Sequence, residues 1–586
     1  MPDIKTKSFD EARTKIAAGD AGKILASNGA GSLPRYPWDR VVRTATYVVA
    51  ASDAPAHVKR QADYVCDGTD DHVEIQAAID ALPTYGGTVY VTGGTYQCRE
   101  TITLPSYTRL KLEKGASIYV PDDHALTVST PYGGPFSALI TNADHAAGNT
   151  GIVIEGGYID FMAGNGATHT KSLVQGWAGI WLHNCTNSRV SDAIVENVVY
   201  DVDWTYARAY GILLTECTYC VVVDCEGNEV GYEGIGIRVK CEHIRVIRCK
   251  AFRCRGHAMQ VCGWGPTPVP AELYDPRHVT FEDCCGNKDI LAHGGVGRGM
   301  RDIAFIRCHS TEKHVRAIGD LKNILFRDCY SENTKEGVYI GTTGERGATI
   351  DGVTIDGFYY RHGAGEFTGR DIPIYFVAYS PRSSIKNIKI INGYFEGGTI
   401  AGFLDRGQTD VVFENIEIRG NIQVKPLDVS GFVSSVIHTN LQKDTTEIRN
   451  LSIQSNHLEN LDAVIHIDTF ESGSYASVHG TICEDNDMTA VSTLIIKDAG
   501  FDHTFERVSR NLGYVTENKG AAASIADGGT IAHGCAAAPT TVTVSGSVAG
   551  EIVTVTSIDA TNITVAIKKP DGSAGTTQTV YWRAEV

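Results

Sequence analysis

Apolar runs in this 586-residue chain do not exceed the length of a strand, which excludes a transmembrane helix of about 20 apolar residues. The opening MPDIKTKSFDEARTKIAAGD has no apolar stretch of the kind a secretory leader carries, so nothing in the chain directs classical secretion. Basic residues are in short supply, 52 Lys and Arg against 69 Asp and Glu, for a net charge of −17. That balance argues against nucleic-acid backbones and anionic membranes as partners. Proline is scarce too, 18 against 62 glycines, in a background rich in Val, Ile and Thr. No paired CxxC motif organises the sixteen cysteines, and a metal centre needs three or four ligands converging on a point.

What the cysteines do instead is recur. They follow one strand-like context in "VVVDC" (Cys225), "VIRC" (Cys249), "TFEDC" (Cys284), "FIRC" (Cys308) and "LFRDC" (Cys329), at steps of 24, 35, 24 and 21. A ladder at repeat period is the mark of reduced thiols stacked as small buried hydrophobes. A second marker precedes it: "AGIWLHNC" (Gly179), "YGILLTEC" (Gly211), "EGIGIRVKC" (Gly234) and "HAMQVC" (Ala258), spaced 32, 23 and 24. Later turns keep the pattern with Gly in place of Cys, in "VTIDGFYY" and "IKIINGYF". A chain this long predicts several domains unless it is an elongated repeat. Short strands at a repeat of about 21–24 residues, without crossover helices, predict a parallel β-helix. Leucine-rich repeats would need a Leu/Asn consensus, and propeller blades a longer period.

The stretch CDGTDDHVEIQAAIDALPTYGGTVYVTGGTYQC (66–98) opens the coil. Asp71 and Glu74 have capping-box spacing, and Val73, Ile75, Ile79 and Leu82 make one apolar face, so a helix is expected over 72–82, covering the coil's open end. The motif DGTDD…IQAAIDA…GGTVYVTGGTY resembles the opening of pectate-lyase-like right-handed parallel β-helix proteins, a group that includes phage tailspikes, polygalacturonase-type hydrolases, polysaccharide lyases and mannuronan epimerases. The resemblance implies an all-β fold, a right-handed parallel β-helix over 46–514, and the handling of glycans. After VTENKG (515–520) the sequence alternates Thr and Val between Gly and Asp punctuation, which predicts a small β-sandwich over 515–586. This tail is similar to C-terminal modules of phage tail proteins, which implies trimerisation or receptor contact. Residues 1–45 are expected to form an attachment or flexible segment.

The repeat serves as a ruler for insertions. Ala193 to Gly211 spans 18 residues where equivalent steps span 9, leaving "DVDWTYARA" in surplus before one strand. A second surplus, "GWGPTPVPAELYDPR" (263–277), follows the strand "AMQV". One loop before and one after the same stack predict two walls of a groove. For its floor, Ile212, Ile235 and Met259 point inward, Leu213, Gly236 and Gln260 outward, and Thr215, Arg238 and Cys262 next. The ruler also stacks Tyr210, Glu233, His257 and His293 at the strand start, with His314 one slip away.

Glycosidases use two carboxylates, about 5 Å apart for retention and about 6.5–9.5 Å for inversion. Glu233 with Asp201 or Asp203 is the expected pair, and His257 would share or tune the proton on Glu233. Trp204, Tyr206, Trp264 and Tyr274 would stack on sugar rings, with Tyr210, Arg238, Gln260 and His293 as further substrate contacts. A lyase or uronate epimerase would instead take its base from His257 or Tyr210, with Arg238 neutralising the uronate carboxylate. A non-catalytic glycan-binding fibre is the third reading: the Tyr/Glu/His column then forms a solvated ladder, and the loop aromatics pack on neighbouring subunits. No cofactor is required, although "DVD" could place carboxylates on calcium. The alignment of His257, His293 and His314 could suggest zinc, but Cα atoms two rungs apart stand about 9.6 Å from each other, too far for routine three-ligand closure. "GTTGERG" (341–347) lacks the phosphate-loop Lys and reads as a turn. The expectation is a tailspike-like homotrimer that binds and cleaves a polysaccharide, on a virion tail or otherwise extracellular. It would be assembled in cytoplasm with its cysteines reduced.

Overall fold

A computed structural model describes residues 45–586 except 122–123, 127, 130–135, 162–175, 199–207, 264–274, 295–299, 333–336, 343–346, 362–371, 398, 426–433, 442–444, 469–476 and 498–501. Three long sheets run through it, of 17, 14 and 15 strands. One turn shows the rule: Ser384–Ile391 in the first sheet, Tyr394–Glu396 in the second, Ala401–Leu404 in the third. Val412–Arg419 then returns to pair parallel with Ser384–Ile391. The chain is a right-handed parallel β-helix.

Each turn buries its inward side chains against the next. In the third sheet Ile212, Ile235, Met259 and Ile290 lie in register and are fully buried. In the first sheet Phe281, Phe305 and Phe326 stack at 5.5 and 5.1 Å. Identical side chains in line, repeated at about 4.8 Å, make such a core continuous along the coil.

The corner from the first sheet to the second is two residues long in every turn from Gly156 to Asn511. Its first residue takes positive φ throughout, for example Asp224 (55°), Arg248 (50°), Asp328 (51°) and Gly420 (68°). Neighbouring corners tie to each other across turns: Arg248 Nε and Nη2 donate to Asp224 at 2.7 and 2.6 Å, and Arg307 Nε to Asp283 at 2.6 Å. The second corner residue points inward. It is Cys in the middle turns, and Cys249, Cys284, Cys308 and Cys329 each aim Sγ at a carbonyl of the preceding turn, 3.4–3.6 Å away. From Asn421 onward it is Asn. Asn421, Asn456 and Asn486 each donate Nδ2 both to a carbonyl of the preceding turn and to the Oδ1 of the next Asn, at 2.9–3.0 Å. All sixteen cysteines are free thiols, and all but Cys285 are buried.

At the N-terminal end a helix runs His72–Asp80, two residues short of the expected end because Ala81 already closes it ahead of Pro83. Its buried face is His72, Ile75, Ala78 and Ile79, while Val73 is 53% exposed. Residue 73 falls off the 3.6-residue stripe that 75 and 79 define. The expected capping box is absent. The buried Asp71 carboxylate accepts instead from the backbone N–H of Gly68 (2.8 Å) and Gln97 (2.7 Å), tying the DGTDD turn to a strand.

Past the coil, antiparallel pairing takes over. Glu517–Ile525, Gln578–Glu585 and Thr541–Gly546 form one three-stranded sheet, and Thr530–Ala532, Asn562–Lys568 and Ile552–Ile558 another. Between them lies a separate small core of Ile531, Ile563, Val565, Ile567, Val580 and Ala584. The N-terminal 44 residues lie outside the described residues.

Candidate functional site on the third sheet

Length variation in the middle of the coil is concentrated at the two edges of the third sheet. Connections entering it hold 15 residues between Asp160 and Gly176 and 11 between Glu196 and Arg208, but 4 between Asn228 and Glu233. Connections leaving it hold 14 residues between Cys262 and Arg277, but 3 between Arg238 and Glu242. The strands of the third sheet are therefore the ones that the long connections enter and leave. Asp201, Asp203, Trp204, Tyr206, Trp264 and Tyr274 belong to those connections and lie outside the described residues, as does the "DVD" calcium motif.

In the third sheet, Tyr210, Glu233 and His257 are cross-strand partners in one column. Leu213, Gly236 and Gln260 form the next outward column, and Thr215, Arg238 and Cys262 the one after. His293 is not in the Glu233 column. It pairs with Cys262 at the other end of the strand. The strand Cys285–Gly286 is two residues long, and only 6 positions separate Cys284 from Ile290, against 10 from Cys249 to Met259. That shortened turn brings Asp289, not His293, beside His257.

Glu233 is fully buried, and its Oε1 accepts from Arg238 Nη2. The same Nη2 donates to Gln260 Oε1 at 2.8 Å, and the guanidinium lies over the rings of Tyr210 (5.5 Å) and Tyr232 (5.7 Å). Gly236 makes room for this pair, since a Cβ there would stand 2.8 Å from Glu233 Oε2 and 3.0 Å from Tyr210 Cδ1. Glu233 Oε2 is buried without a hydrogen-bond partner. Burial pushes the Glu233 carboxyl above its ordinary range, while Arg238 and His257 pull the other way.

Asp289 has the opposite environment. His257 Nδ1 lies 3.5 Å from its Oδ2, His314 Nδ1 3.2 Å from its Oδ1, and Arg316 Nη1 donates to Oδ2 at 3.0 Å. Although burial opposes ionisation, these groups hold the Asp289 carboxyl well below its ordinary range. Burial, with Arg238, His257 and Arg316 adding to it, lowers His293 to about 4. Sequence reasoning missed Asp289, His314 as its partner, and Arg316. The signal available was the outward position of Arg316 in "VRAI", in line with Gln260 and Leu291.

The strip continues in both directions. Toward the C-terminus Arg316 lies 4.6 Å over Tyr339, whose hydroxyl bonds that of Tyr379, and Arg406 lies 5.7 Å over Tyr379. Toward the N-terminus Trp181 packs on Phe136 (4.8 Å) and His145 (4.6 Å) and donates Nε1–H to Thr215 Oγ1 at 2.8 Å. Tyr210 joins Trp181 and Leu213 in a hydrophobic cluster outside the coil and is 5% exposed, so its ring is engaged by protein neighbours. Among the described residues, no group of three metal-ligating side chains within ligand reach lies on this face.

No family model and no curated protein matches the chain. Among solved structures it is similar to a tailspike protein mutant of E. coli bacteriophage HK620 in complex with pentasaccharide, at TM-score 0.49 and 11% identity, covering 88% of this chain and 90% of that one. It is also similar to the Gp54 tailspike of Acinetobacter baumannii bacteriophage AP22 in complex with a capsular saccharide, at TM-score 0.41 and 10% identity over 87% and 94% of the two chains. A putative glycosyl hydrolase from Parabacteroides merdae aligns over 36% of this chain and 87% of its own, at 17% identity and TM-score 0.27.

Proposed function

We propose that the protein binds a polysaccharide along the outward face of the third sheet and hydrolyses its glycosidic bonds, with Glu233 and Asp289 as the working carboxylates. The observation that carries this reading is the split between their environments. Glu233 is driven toward its protonated form by burial, and Asp289 is held ionised by two imidazoles and a guanidinium. Paired carboxyl groups pushed apart in this way divide into acid and base. They stand two turns apart, about 9.6 Å at the backbone, which favours the wider, inverting arrangement over the retaining one. Glu233 is then the proton donor to the leaving oxygen, Asp289 the base for water, and His257 the group between them. Asp201 and Asp203, on the entering connection, remain the alternative partners for Glu233.

A second reading, uronate lyase or epimerase, draws on the two guanidinium groups. Arg238 and Arg316 sit on the same face as His257, as neutralisation of a sugar carboxylate beside a base would require. Under either reading the resemblance of residues 66–98 to a group that includes phage tailspikes, with that of residues 515–586 to C-terminal modules of phage tail proteins, supports a homotrimer at a virion tail, acting on a cell-surface polysaccharide.

The test is a polysaccharide panel read for new reducing ends and for the ultraviolet absorbance of unsaturated uronate. Hydrolysis raises only the first, and Glu233→Gln and Asp289→Asn should each lower it by about 100-fold or more. Absorbance would move the assignment to the lyase. Glycan binding without either product would leave a binding fibre, and full activity in Glu233→Gln would sink the site.

A further inference from the structure

On the first sheet, away from the glycan face, we propose that Glu242, His243 and His278 form a site for one transition-metal dication of the zinc class. His243 and His278 occupy equivalent positions in successive turns, both at positive φ (55° and 53°). Their rings stack at 4.6 Å and 5°, and Tyr219 extends the stack at 4.7 Å and 2°. The stacking brings both Nε2 atoms to the same carboxylate: His243 Nε2 lies 3.8 Å and His278 Nε2 4.0 Å from Glu242 Oε1. The three ligand atoms lie within 4.8 Å of one another. Zinc bonds imidazole nitrogen and carboxylate oxygen at about 2.0–2.2 Å, in the plane of each ring, so closure asks each side chain to move on the order of 1 Å and the two parallel rings to tilt toward a shared point. All three are 40–45% exposed, which makes that movement cheap.

A second observation points the same way. His278 Nδ1 lies 3.4 Å from Asp302 Oδ2, and Asp302 Oδ1 in turn accepts from Asn323 Nδ2 at 2.9 Å. A carboxylate on Nδ1 keeps the proton there and leaves the Nε2 lone pair for a metal, the arrangement that orients ligating histidines in metal centres. Arg277 stands opposite Glu242 in register, and Arg301 Nε is 3.8 Å from Asp302. With those cations present, the carboxylates alone would not attract a hard ion. The two imidazoles select for zinc, nickel or cobalt over magnesium and calcium. Three protein ligands leave a coordination position open to water.

The untagged full chain, stripped with chelator, should take up one equivalent of Zn²⁺ by calorimetry. Co²⁺ should give a visible spectrum characteristic of nitrogen ligation, and Mg²⁺ no heat. His243→Gln with His278→Gln should weaken Zn²⁺ binding at least about 100-fold, and Asp302→Asn about 10–100-fold, with unchanged circular dichroism and unchanged metal-free melting. The site is overturned if no saturable equivalent binds at micromolar Zn²⁺, or if the folded double variant binds as tightly as the parent.

Discussion

The middle turns and the last turns of the coil solve one packing problem with different chemistry. The inward residue of the first corner is Cys from Cys225 to Cys329 and Asn from Asn421 to Asn511. In both regions it reaches a backbone carbonyl of the preceding turn. The thiol does so as a weak donor at 3.4–3.6 Å and otherwise behaves as a small hydrophobe. The amide does so at 2.9–3.0 Å and also accepts from the corner before it: Asn456 Oδ1 takes Asn421 N–H at 3.0 Å, and Asn486 Oδ1 takes Asn456 N–H at 3.0 Å. The difference teaches that the corner needs a small inward group able to face a carbonyl. An amide ladder couples neighbouring corners through their inward residues, whereas in the thiol region the coupling between corners runs through the outward pairs such as Arg248 with Asp224 and Arg307 with Asp283.

The largest expected effect comes from breaking the amide ladder. Asn456→Ala removes the donor to the Ile418 carbonyl and the acceptor of the Asn421 N–H and Nδ2, while Asn486 Oδ1 keeps the Asn456 backbone N–H, and should cost about 3–5 kcal/mol, read as a shift of the denaturant midpoint. Its effect should not add to that of Asn486→Ala, because the two share partners. Acidification should discriminate next, against the turns before the asparagine ladder. Burial lowers His183 to about 4, and its ring bonds Thr215 Oγ1 at 2.8 Å. The unfolded chain binds this proton near pH 6.5 and the native one only near 4, so stability falls as pH drops through that window, by up to roughly 3 kcal/mol. In His183→Asn the pH dependence of the midpoint should be shallower between those values, with His293, lowered to about 4 as well, supplying part of what remains. Asp289 adds a loss at lower pH, since its depressed carboxyl stabilises the fold above the ordinary carboxylate range and ceases to as acid protonates it.

A smaller effect is expected in the thiol ladder. Cys308→Ala should cost about 1 kcal/mol, roughly additive with Cys284→Ala in the neighbouring corner, and non-additivity like that of the asparagine pair would erase the contrast. Smallest in energy is a labelling experiment. Burial raises the Cys308 thiol well above its ordinary value, as it does for most of the set, so a thiol reagent should modify half-buried Cys285 first and the others only on unfolding.

Much of this arrangement could be read from the chain itself, because a parallel coil repeats its constraints. Alternation put Ile212, Ile235 and Met259 inside and Leu213, Gly236 and Gln260 outside, and Tyr210, Glu233 and His257 in one column. These follow from period two within strands and constant steps between them. What could not be read depends on a change of step. A two-residue strand at Cys285–Gly286 shortened one turn, moved His293 down the strand and put Asp289 where a residue count placed nothing. Asp71 was misassigned for a related reason. Capping-box spacing is a local pattern, whereas the backbone of Gln97 comes within reach only once the chain has travelled round a turn. The long connections were visible as surplus length, and length does not specify conformation.

The hydrogen bonds of the three sheets run between turns and not along the local chain. A single backbone cut in a connection such as 197–207 or 263–276 would leave both pieces stitched together along the sheets, each strand still paired with the strands before and after it. Such a nick should pass unnoticed by size in native buffer and show as two fragments only in denaturant. A loop could then be opened or exchanged without the coil coming apart.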